Sequence, residues 1–531
     1  MNNETAKPAA RFALIAWIVI GIALALRLLH VFFTERYNPL AGDLQLDAAT
    51  YDRWARALAF GGDPGETTLM QAPMYPWFLS IVYRIAGPSL AAVRLVQAVI
   101  GAATVGLIMR CTWRFFKSAA ASLIAGVFAA LYTPFIFYEG ILVPATLIVF
   151  LNVLFIAVLF TDNRPGAART FVAGIVLGLA VAANPPTLLL LPFALLHLFL
   201  VARHVDDTAS QRASVGVAAR PIRLFALTSL ALIAGLIIAL APVTIRNALR
   251  TGEFIPLTTG GGINFYIGNN AEATGFYALP RLNGKSLGGT PEEQAKNMQS
   301  IASAEAGRDL SQSGVSKFWF DAGLDYVRTN PGAWAALLWQ KSQYFWNRYE
   351  RSNVENMYFH RRFPGILRLP LFTFGIIAPL ALLGIFLTRS RRSRLTLLYG
   401  GILTYSLTTL VFYVLARYRV PVVPFLTPLA GAAVVELVAI ARSHRRAELG
   451  LSLAALALLA FFSNMTVARD TASGISSNLA RLGNAYIARG DTTSAEKAYR
   501  EALDLNAENA SAKAGLAKIT SSLNNPISPR K

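Results

Sequence analysis

A carboxylate on the aromatic face of a short helix is the first group in this sequence with the chemical means to act in a reaction. Residues 47–60, DAATYDRWARALAF, predict an amphipathic helix, because residues three and four positions apart share a face. Asp47 shares that face with Tyr51 and Trp54. A charge there is costly unless it has a partner or a role, so Asp47 is a candidate site residue. The alternative is that Asp47 only caps the start of the helix.

Arginines at the outer ends of hydrophobic segments are the next candidates. The polar residues at such ends, besides Asp47, are Asp43, Glu139, Arg246, Asn247, Arg417 and Arg419. A planar guanidinium suits a phosphate, so Arg417 and Arg419 in VLARYRVPVVP are candidate phosphate ligands. Alternatively, they anchor a helix end among lipid headgroups. Arg27 and Arg94 lie inside hydrophobic segments and should be paired within the bundle.

Other reactive motifs are weak. Glu139, in FIFYEGIL, is a partner for a cation, a second site carboxylate or a solvated turn residue. The glycine-rich stretch 258–270, TTGGGINFYIGNN, has no G-K-[ST] and is interpreted as loop architecture rather than a phosphate-binding loop. The single cysteine, Cys111, excludes an intrachain disulfide. The five histidines show no metal-ligand spacing, so no metal motif is predicted.

The composition indicates what positions these residues. The chain has 531 residues, of which 54% are hydrophobic and only 15% charged, and its mean hydropathy is +0.46. These values are typical of an integral membrane protein. The net charge of +20 does not indicate nucleic-acid binding, because the Lys and Arg residues cluster in short loops on one side of the predicted membrane domain.

About eleven transmembrane helices are predicted within a membrane domain of residues 1–466, each near the length that a bilayer requires. They cover residues 11–33, 89–110, 118–137, 141–160, 170–183, 187–202, 224–245, 364–388, 395–416, 420–441 and 449–464. The basic loops fall on the side of the N-terminus, which the positive-inside rule makes cytoplasmic. An odd number of spans then places the C-terminus and two polar regions, 34–88 and 246–360, outside the cytoplasm. The helices flanking Asn184-Pro185-Pro186 could instead form a re-entrant hairpin. Both spans would then be lost together, so the number of spans would stay odd.

The C-terminal residues have a different pattern. Residues 475–522 fit a tetratricopeptide helix-turn-helix, with small residues at helix contacts and larger ones in the core between them. Residues 523–531 are expected to be disordered. One repeat is fewer than the three or so needed for independent stability. This tail is therefore expected to lean on the membrane domain, on another copy or on a protein partner.

Six segments together resemble a known family. In order, they are LDAATYDRWA, APMYPWFLS, VRLVQAVIGA, ALYTPFIFYEGIL, APVTIRNALRTGEFIPLTTGGGINFYIGNN and ARYRVPVVP. They resemble the bacterial relatives of protein O-mannosyltransferases and aminoarabinose transferases, the polyprenyl-phosphate-sugar-dependent glycosyltransferases of the C superfamily. The resemblance covers about residues 10–445. It implies an α-helical polytopic membrane enzyme of that fold in the cell (inner) membrane, carrying the small tetratricopeptide tail.

The resemblance also implies roles for the candidate residues. Asp47 matches the acidic residue of the family's first outer loop and would accept the acceptor's proton. The family's second acid is absent at Ala48, so Asp43 or Glu139 could supply it. The arginines would stabilise the leaving phosphate, and the predicted ligands, in order of preference, are Arg417 and Arg419 and then Arg246. Tyr51 and Asn247 are the expected supporting residues.

The implied reaction inverts the anomeric centre, because the acceptor displaces the lipid phosphate in a single step. The donor is a polyprenyl-phosphate-linked sugar, and the acceptor is a glycolipid, polysaccharide or protein of the envelope. Neither the donor sugar nor a requirement for a divalent cation follows from the sequence. Alternatives are an O-antigen-ligase-like enzyme, a transporter or flippase, which predicts charges near mid-membrane in two related halves, and a scaffold acting through its tail.

Overall fold

The computed structural model describes residues 3–161, 166–210, 220–282, 284–288, 291–352, 354–467 and 471–524. Almost all regular structure within them is helical, and several of the helices are strongly apolar. The predicted fold class, an α-helical polytopic membrane protein, is therefore confirmed. Most of the segment predicted to be disordered, from residue 525 onward, lies outside the described residues.

The helices of the first half run from the N-terminus to the start of the second polar region. They are α1 Asn3–Tyr37, α2 Leu46–Phe60, α3 Met74–Ala86, α4 Leu90–Phe116, α5 Ala119–Ala130, α6 Thr133–Glu139, α7 Ala145–Leu159, α8 Ala167–Ala183, α9 Leu191–Ser210 and α10 Arg220–Thr251. Short 3₁₀ helices lie at Glu66–Leu69 and Pro185–Leu190. The segment FIFYEG, predicted as a turn, belongs to the separate helix α6, so the span predicted over 118–137 ends earlier, at Ala130.

The second polar region and the last spans follow. Their helices are α11 Gly261–Gly268, α12 Pro291–Ala306, α13 Gln312–Thr329, α14 Pro331–Trp346, α15 Met357–His360, α16 Phe374–Leu387, α17 Thr396–Val411, α18 Ala416–Arg419, α19 Val423–Arg442 and α20 Arg446–Asn464. Short 3₁₀ helices lie at Ile366–Arg368, Arg389–Arg391 and Val420–Val422. Strands β1 Arg281–Leu282 and β2 Lys285–Ser286 form an antiparallel hairpin. Helix α10 continues to Thr251, so the predicted second polar region, from residue 246, begins within its last turns.

Six helices among the described residues are long and apolar enough to cross a membrane by length and composition: α1, α4, α9 with its preceding 3₁₀ turn, α10, α19 and α20. Five shorter apolar helices, α5, α7, α8, α16 and α17, occupy the remaining predicted spans. The order of these eleven segments agrees with the sequence-based prediction. The number that crosses the bilayer, and the side on which each end lies, stay predictions.

The C-terminal helical unit consists of α21 Ala472–Ala488, α22 Thr492–Leu505 and α23 Ala510–Asn524. Tyr499 of α22 lies between Gly483 and Gly515, where an added Cβ would come within 2.4 Å and 2.3 Å of the Tyr499 ring. The two glycines are therefore required for close packing, which agrees with the predicted helix pair. Its assignment as a tetratricopeptide repeat stays a prediction. The unit packs on the membrane domain, since Leu40 belongs to its apolar cluster.

Helices α8 and α10 approach each other closely at a pair of glycines. A Cβ on Gly174 would lie 2.0 Å from the carbonyl oxygen of Leu232, and one on Gly235 would lie 2.2 Å from that of Phe171. Small residues allow such backbone contact between membrane helices. The two glycines thus fix the helix pair that precedes the second polar region.

We expect Gly235→Ala to destabilise the protein, because the added methyl group has no space between the two backbones. Overpacking of this kind costs about 1–3 kcal/mol. Gly21→Ala in α1 is the matched control, since a Cβ there meets nothing within 4 Å. Thermal unfolding of the detergent-solubilised variants checks this, and equal midpoints for both variants would contradict it.

Candidate functional site

An ion pair between distant parts of the chain forms the centre of the candidate site. Helix α2 begins at Leu46 and places Asp47 in its first turn. Arg417 comes from the short helix α18, 370 residues later, and its Nη1 lies 2.5 Å from Oδ2 of Asp47. The Asp47 side chain is 23% exposed and the Arg417 side chain is 11% exposed. The N-cap interpretation of Asp47 is wrong, because Gln45 occupies the N-cap position.

Two further side chains hold this pair in place. Nε2 of Gln71 donates a 3.0 Å hydrogen bond to Oδ1 of Asp47, so each carboxylate oxygen has one partner. Nη2 of Arg417 bonds the hydroxyl of Tyr418 at 3.0 Å, and the guanidinium lies 4.8 Å from the centre of the Tyr418 ring. The Nε of Arg417 has no hydrogen-bond acceptor among the described residues. This Nε is itself buried, whereas the Arg417 side chain as a whole is partly exposed and lines a cavity.

The pair lies in the wall of a cavity of about 510 Å³. Asp47 and Arg417 are the only charged side chains that line it among the described residues. One part of the wall is apolar and includes Pro144 and Ile148 near the start of α7 and Leu189 after the Asn184-Pro185-Pro186 break. The cavity thus joins a charged site to an apolar surface formed by predicted spans.

Another part of the wall carries neutral hydrogen-bonding groups. Tyr277 donates to Oε1 of Gln294 at 3.3 Å, and Tyr413 donates to Oδ1 of Asn264 at 2.5 Å. Burial raises the pKa of both tyrosines, and the Asp47 carboxylate adds to the effect at Tyr277. Both phenols therefore stay protonated. Such a wall suits a ligand rich in hydroxyl groups.

The glycine-rich stretch 258–270 is part of this wall, which the sequence interpretation as loop architecture missed. It forms helix α11, whose residues Ile263 and Asn264 line the cavity. Its glycines permit close contact: a Cβ on Gly262 would lie 1.8 Å from the carbonyl oxygen of Ser316, and one on Gly268 would lie 1.9 Å from that of Phe412. The glycines are therefore packing residues that seat α11 beside the cavity.

Tyr51 is the predicted supporting residue that the structure brings to Asp47. It is buried and lines the cavity, and its ring packs edge-on against Tyr75 with 5.3 Å between the centroids. Burial, reinforced by the Asp47 carboxylate, raises the pKa of Tyr51. Tyr51 is therefore a neutral group beside the ion pair.

The two candidate second carboxylates lie elsewhere. Oε2 of Glu139 is 2.7 Å from Nε of Arg27 within the bundle, and Oδ2 of Asp43 is 3.1 Å from Arg481 of α21. Neither lines the cavity. Of the three interpretations of Glu139, the structure thus shows a partner for a cation. Among the described residues, no group of three or more His, Cys, Asp or Glu side chains could hold a metal ion.

Arg419 faces away from the cavity although it is two residues from Arg417. It is 1% exposed, and its Nη2 lies 2.5 Å from Oε2 of the buried Glu350. Its guanidinium also donates to main-chain carbonyls, including Phe345 at 2.9 Å and Tyr349 at 3.1 Å. These contacts occupy the group that was predicted to bind phosphate.

Arg246 and Asn247 stand behind the cavity wall rather than in it. The guanidinium of Arg246 lies 5.1 Å from the centre of the Trp54 ring and donates to the carbonyl oxygen of Thr68 at 3.2 Å. The Asn247 side chain bonds two carbonyl oxygens of the turn after α10. Because Thr68 is close in sequence to Gln71, Arg246 supports the segment that holds Asp47.

Sequence reasoning missed most of the neutral groups of the site. They are Gln71, Asn264, Tyr277, Gln294, Tyr413 and Tyr418. Their spacing carries no recognisable signal. Only the density of amide and aromatic residues in the polar regions could have indicated them.

A protein-family comparison supports the resemblance found in the sequence. Residues 70–225 match the family model described as dolichyl-phosphate-mannose-protein mannosyltransferase. The matched region includes Gln71 and the Asn184-Pro185-Pro186 break, but neither Asp47 nor Arg417. No curated protein matches the chain.

Two solved structures are similar to this chain at low identity. One is the Archaeoglobus fulgidus oligosaccharyltransferase tethered with an acceptor peptide containing the NVT sequon, at 14% identity and a TM-score of 0.46, covering 92% of this chain and 58% of that one. ArnT from Cupriavidus metallidurans bound to undecaprenyl phosphate has 15% identity and a TM-score of 0.31, covering 82% and 79%. Values this low do not carry a function over to this chain.

We expect Arg419→Ala to unfold far more readily than Arg417→Ala. Removing Arg419 leaves Glu350 buried without its charge partner, which costs about 3–5 kcal/mol. Removing Arg417 leaves Asp47 partly exposed at the cavity, so the loss is smaller. Thermal unfolding in detergent measures both variants. A stable Arg419→Ala protein would show that this arginine is not a structural partner.

A pH dependence of stability is expected from Lys341 of α14. It is fully buried, and its Nζ donates a hydrogen bond of 2.8 Å to the carbonyl oxygen of Gly268, at the end of α11. Burial lowers the pKa of Lys341 from 10.5 to about 7. Between these values the unfolded chain binds a proton that the folded chain does not, so stability rises with pH across this window.

Lys341→Met should remove this rise, whereas Lys317→Met, at an exposed lysine paired with Asp321, should keep it. Unfolding midpoints between pH 7 and pH 10 report the slopes. The same slope in Lys341→Met as in the parent would contradict the assignment.

Proposed function

We propose that this chain is a polyprenyl-phosphate-sugar-dependent glycosyltransferase of the C superfamily and that it moves a sugar from a polyprenyl-phosphate donor to an envelope acceptor on the extracytoplasmic face of the cell membrane. The observation that carries the proposal is the Asp47–Arg417 pair at the boundary between an apolar and a hydroxyl-binding wall of one cavity. A donor of this class needs all three surfaces. Its lipid is apolar, its phosphate is anionic and its sugar is rich in hydroxyl groups.

The apolar wall would take the first isoprene units of the donor. Proline and aliphatic side chains there, such as Pro144, Ile148 and Leu189, bind hydrocarbon without any polar group to desolvate. The sugar would lie against the amide and phenol groups of Asn264, Tyr277 and Tyr413. This arrangement places the phosphate between the two, beside Arg417.

Arg417 would stabilise the charge that develops on the leaving phosphate. A guanidinium is suited to phosphate oxygens by its planar set of donors, and electrostatic stabilisation of developing charge is a large contribution to catalysis. The Arg417 side chain is partly exposed and lines the cavity, so a phosphate bound there would meet its guanidinium. We assign this role to Arg417 alone, with Arg246 as a support for the wall and Arg419 as a structural residue.

Asp47 would act as the general base. The acceptor hydroxyl or amine attacks the anomeric carbon, its proton passes to an oxygen of Asp47, and the bond to the phosphate oxygen breaks with its electron pair left on the phosphate. Gln71 fixes the carboxylate through Oδ1, while Oδ2 faces Arg417. One displacement of this kind inverts the anomeric centre. A divalent cation is not required by this scheme.

We expect Asp47→Asn to lower the rate of sugar transfer by at least about 100-fold, the usual contribution of a positioned general base. The purified proteins are incubated with a panel of polyprenyl-phosphate sugars and envelope extract, and labelled product or released lipid phosphate is measured. Asp63→Asn is the matched control. Among the described residues its carboxylate, in the same polar region, bonds the amide of Gly65, and an amide side chain can replace that bond.

The outcomes separate the parts of the proposal. If the parent and Asp63→Asn are active while Asp47→Asn is folded but inactive, the result supports both the transferase activity and Asp47 as its base. Equal activity in all three removes Asp47 from the chemistry. A parent that turns over none of the donors contradicts the proposed function.

A further inference from the structure

The connection between α1 and α2, residues 38–45, leads directly into the candidate base and is held by the opposite end of the chain. Two arginines contact it: Arg481 of α21 and Arg489, which caps the C-terminal end of that helix. Arg481 donates to Oδ2 of Asp43 at 3.1 Å and to the main-chain oxygen of Asp43 at 3.3 Å. Arg489 donates to the main-chain oxygens of Asn38 and Pro39, both at 3.3 Å. Because the arginines are eight residues apart, they share one face of the helix.

Arg481 also joins this connection to the second polar region. Its Nη2 lies 3.0 Å from Oε1 of Glu355, and Oε2 of Glu355 lies 3.0 Å from Nε2 of His360. Burial alone raises the pKa of Glu355, but the contacts with His360 and Arg481 outweigh it and hold the pKa below its usual range. A charged network therefore spans α21 and both polar regions.

Apolar side chains also pack where α21 meets the connection and the second polar region. Leu40 is 4% exposed and belongs to one buried cluster with Phe359 and Phe363 of the second polar region and with Leu479 and Leu482 of α21. This cluster is continuous with the core of the C-terminal helical unit. The unit is thus packed onto the connection rather than only tethered by charges.

On the other side, the connection is held by the membrane domain. Nη2 of Arg94 donates to the main-chain oxygen of Ala41 at 2.5 Å, and Nη1 of Arg94 lies 2.5 Å from Glu35. The connection is followed by Leu46, the first residue of α2, which has a left-handed backbone with φ +48°. A leucine adopts this conformation only where its surroundings impose it. The residue that follows is Asp47.

We propose that the C-terminal helical unit is part of the catalytic apparatus, with Arg481 as a positioning residue that acts on Asp47 through Asp43. The expected change in reaction rate rests on the proposed function, whereas the positioning of the connection by Arg481 does not. Asp43 lies four residues before Asp47, and the clamp by Arg481 and Arg94 leaves the intervening turn little freedom. Without Arg481 the turn relaxes and Asp47 loses its alignment with the acceptor.

The test compares Arg481→Ala, Asp43→Ala and the double variant with the parent. We expect each single variant to lower kcat about tenfold, since small displacements of a reacting group have effects of that order or larger, with the KM for the donor unchanged. Arg481→Ala also removes a partner of Glu355 and should lower the unfolding midpoint, whereas Asp43→Ala leaves that pair intact. The double variant should be no slower than Arg481→Ala, because Asp43 acts through Arg481 in this proposal. Arg481→Lys should recover part of the rate. Arg500→Ala, at an exposed arginine of α22 paired with Glu496, is the matched control and should behave as the parent.

Hydrogen exchange gives a readout independent of turnover. Amides of residues 38–47 should exchange several-fold faster in Arg481→Ala than in the parent or in Arg500→Ala. Unchanged exchange in this segment overturns the inference whatever the activity. A parent that is inactive with every donor contradicts the proposed function, and the exchange experiment then decides the positioning role alone.

Discussion

Charged side chains in the apolar part of this protein lie where another part of the chain neutralises them. Removing a charge from water costs several kcal/mol unless a partner and further hydrogen bonds compensate for it. The compensating pairs are Arg27 with Glu139, Arg94 with Glu35, Arg417 with Asp47 and Arg419 with Glu350. Each joins segments far apart in the sequence, so the requirement for pairing restricts how the helices assemble around the cavity.

The short helix α18 shows how this constraint separates a structural arginine from a functional one. Arg419 and Arg417 are two residues apart and therefore point in different directions. Arg419 is enclosed by Glu350 and by main-chain carbonyls, and nothing else can reach it. Arg417 and Asp47 are similarly paired, but they are partly exposed and line a cavity. A buried pair that faces open space can exchange its partner for a ligand, whereas an enclosed one cannot.

Local patterns were sufficient to predict the apolar helices of the membrane domain and the buried face of α2, though not the short helices α6 and α11, because periodicity depends on nearby residues alone. Tyr51 and Trp54 are buried as their spacing predicts. The same patterns could not rank the carboxylates: Asp47 and Glu139 both stand at the end of a hydrophobic segment, and only the tertiary fold decides which cation each one meets. Gln71 was missed for the same reason, since its contact with Asp47 is created by the packing of two separate segments.

The C-terminal helical unit connects the stability of the chain to its proposed chemistry. Three short helices bury too little surface to be stable alone. Leu40 and Phe363 of the membrane domain pack against the apolar core of the unit. Leu40 belongs to the connection that leads to Asp47. The docked unit therefore covers and contacts the same connection that leads to the candidate base.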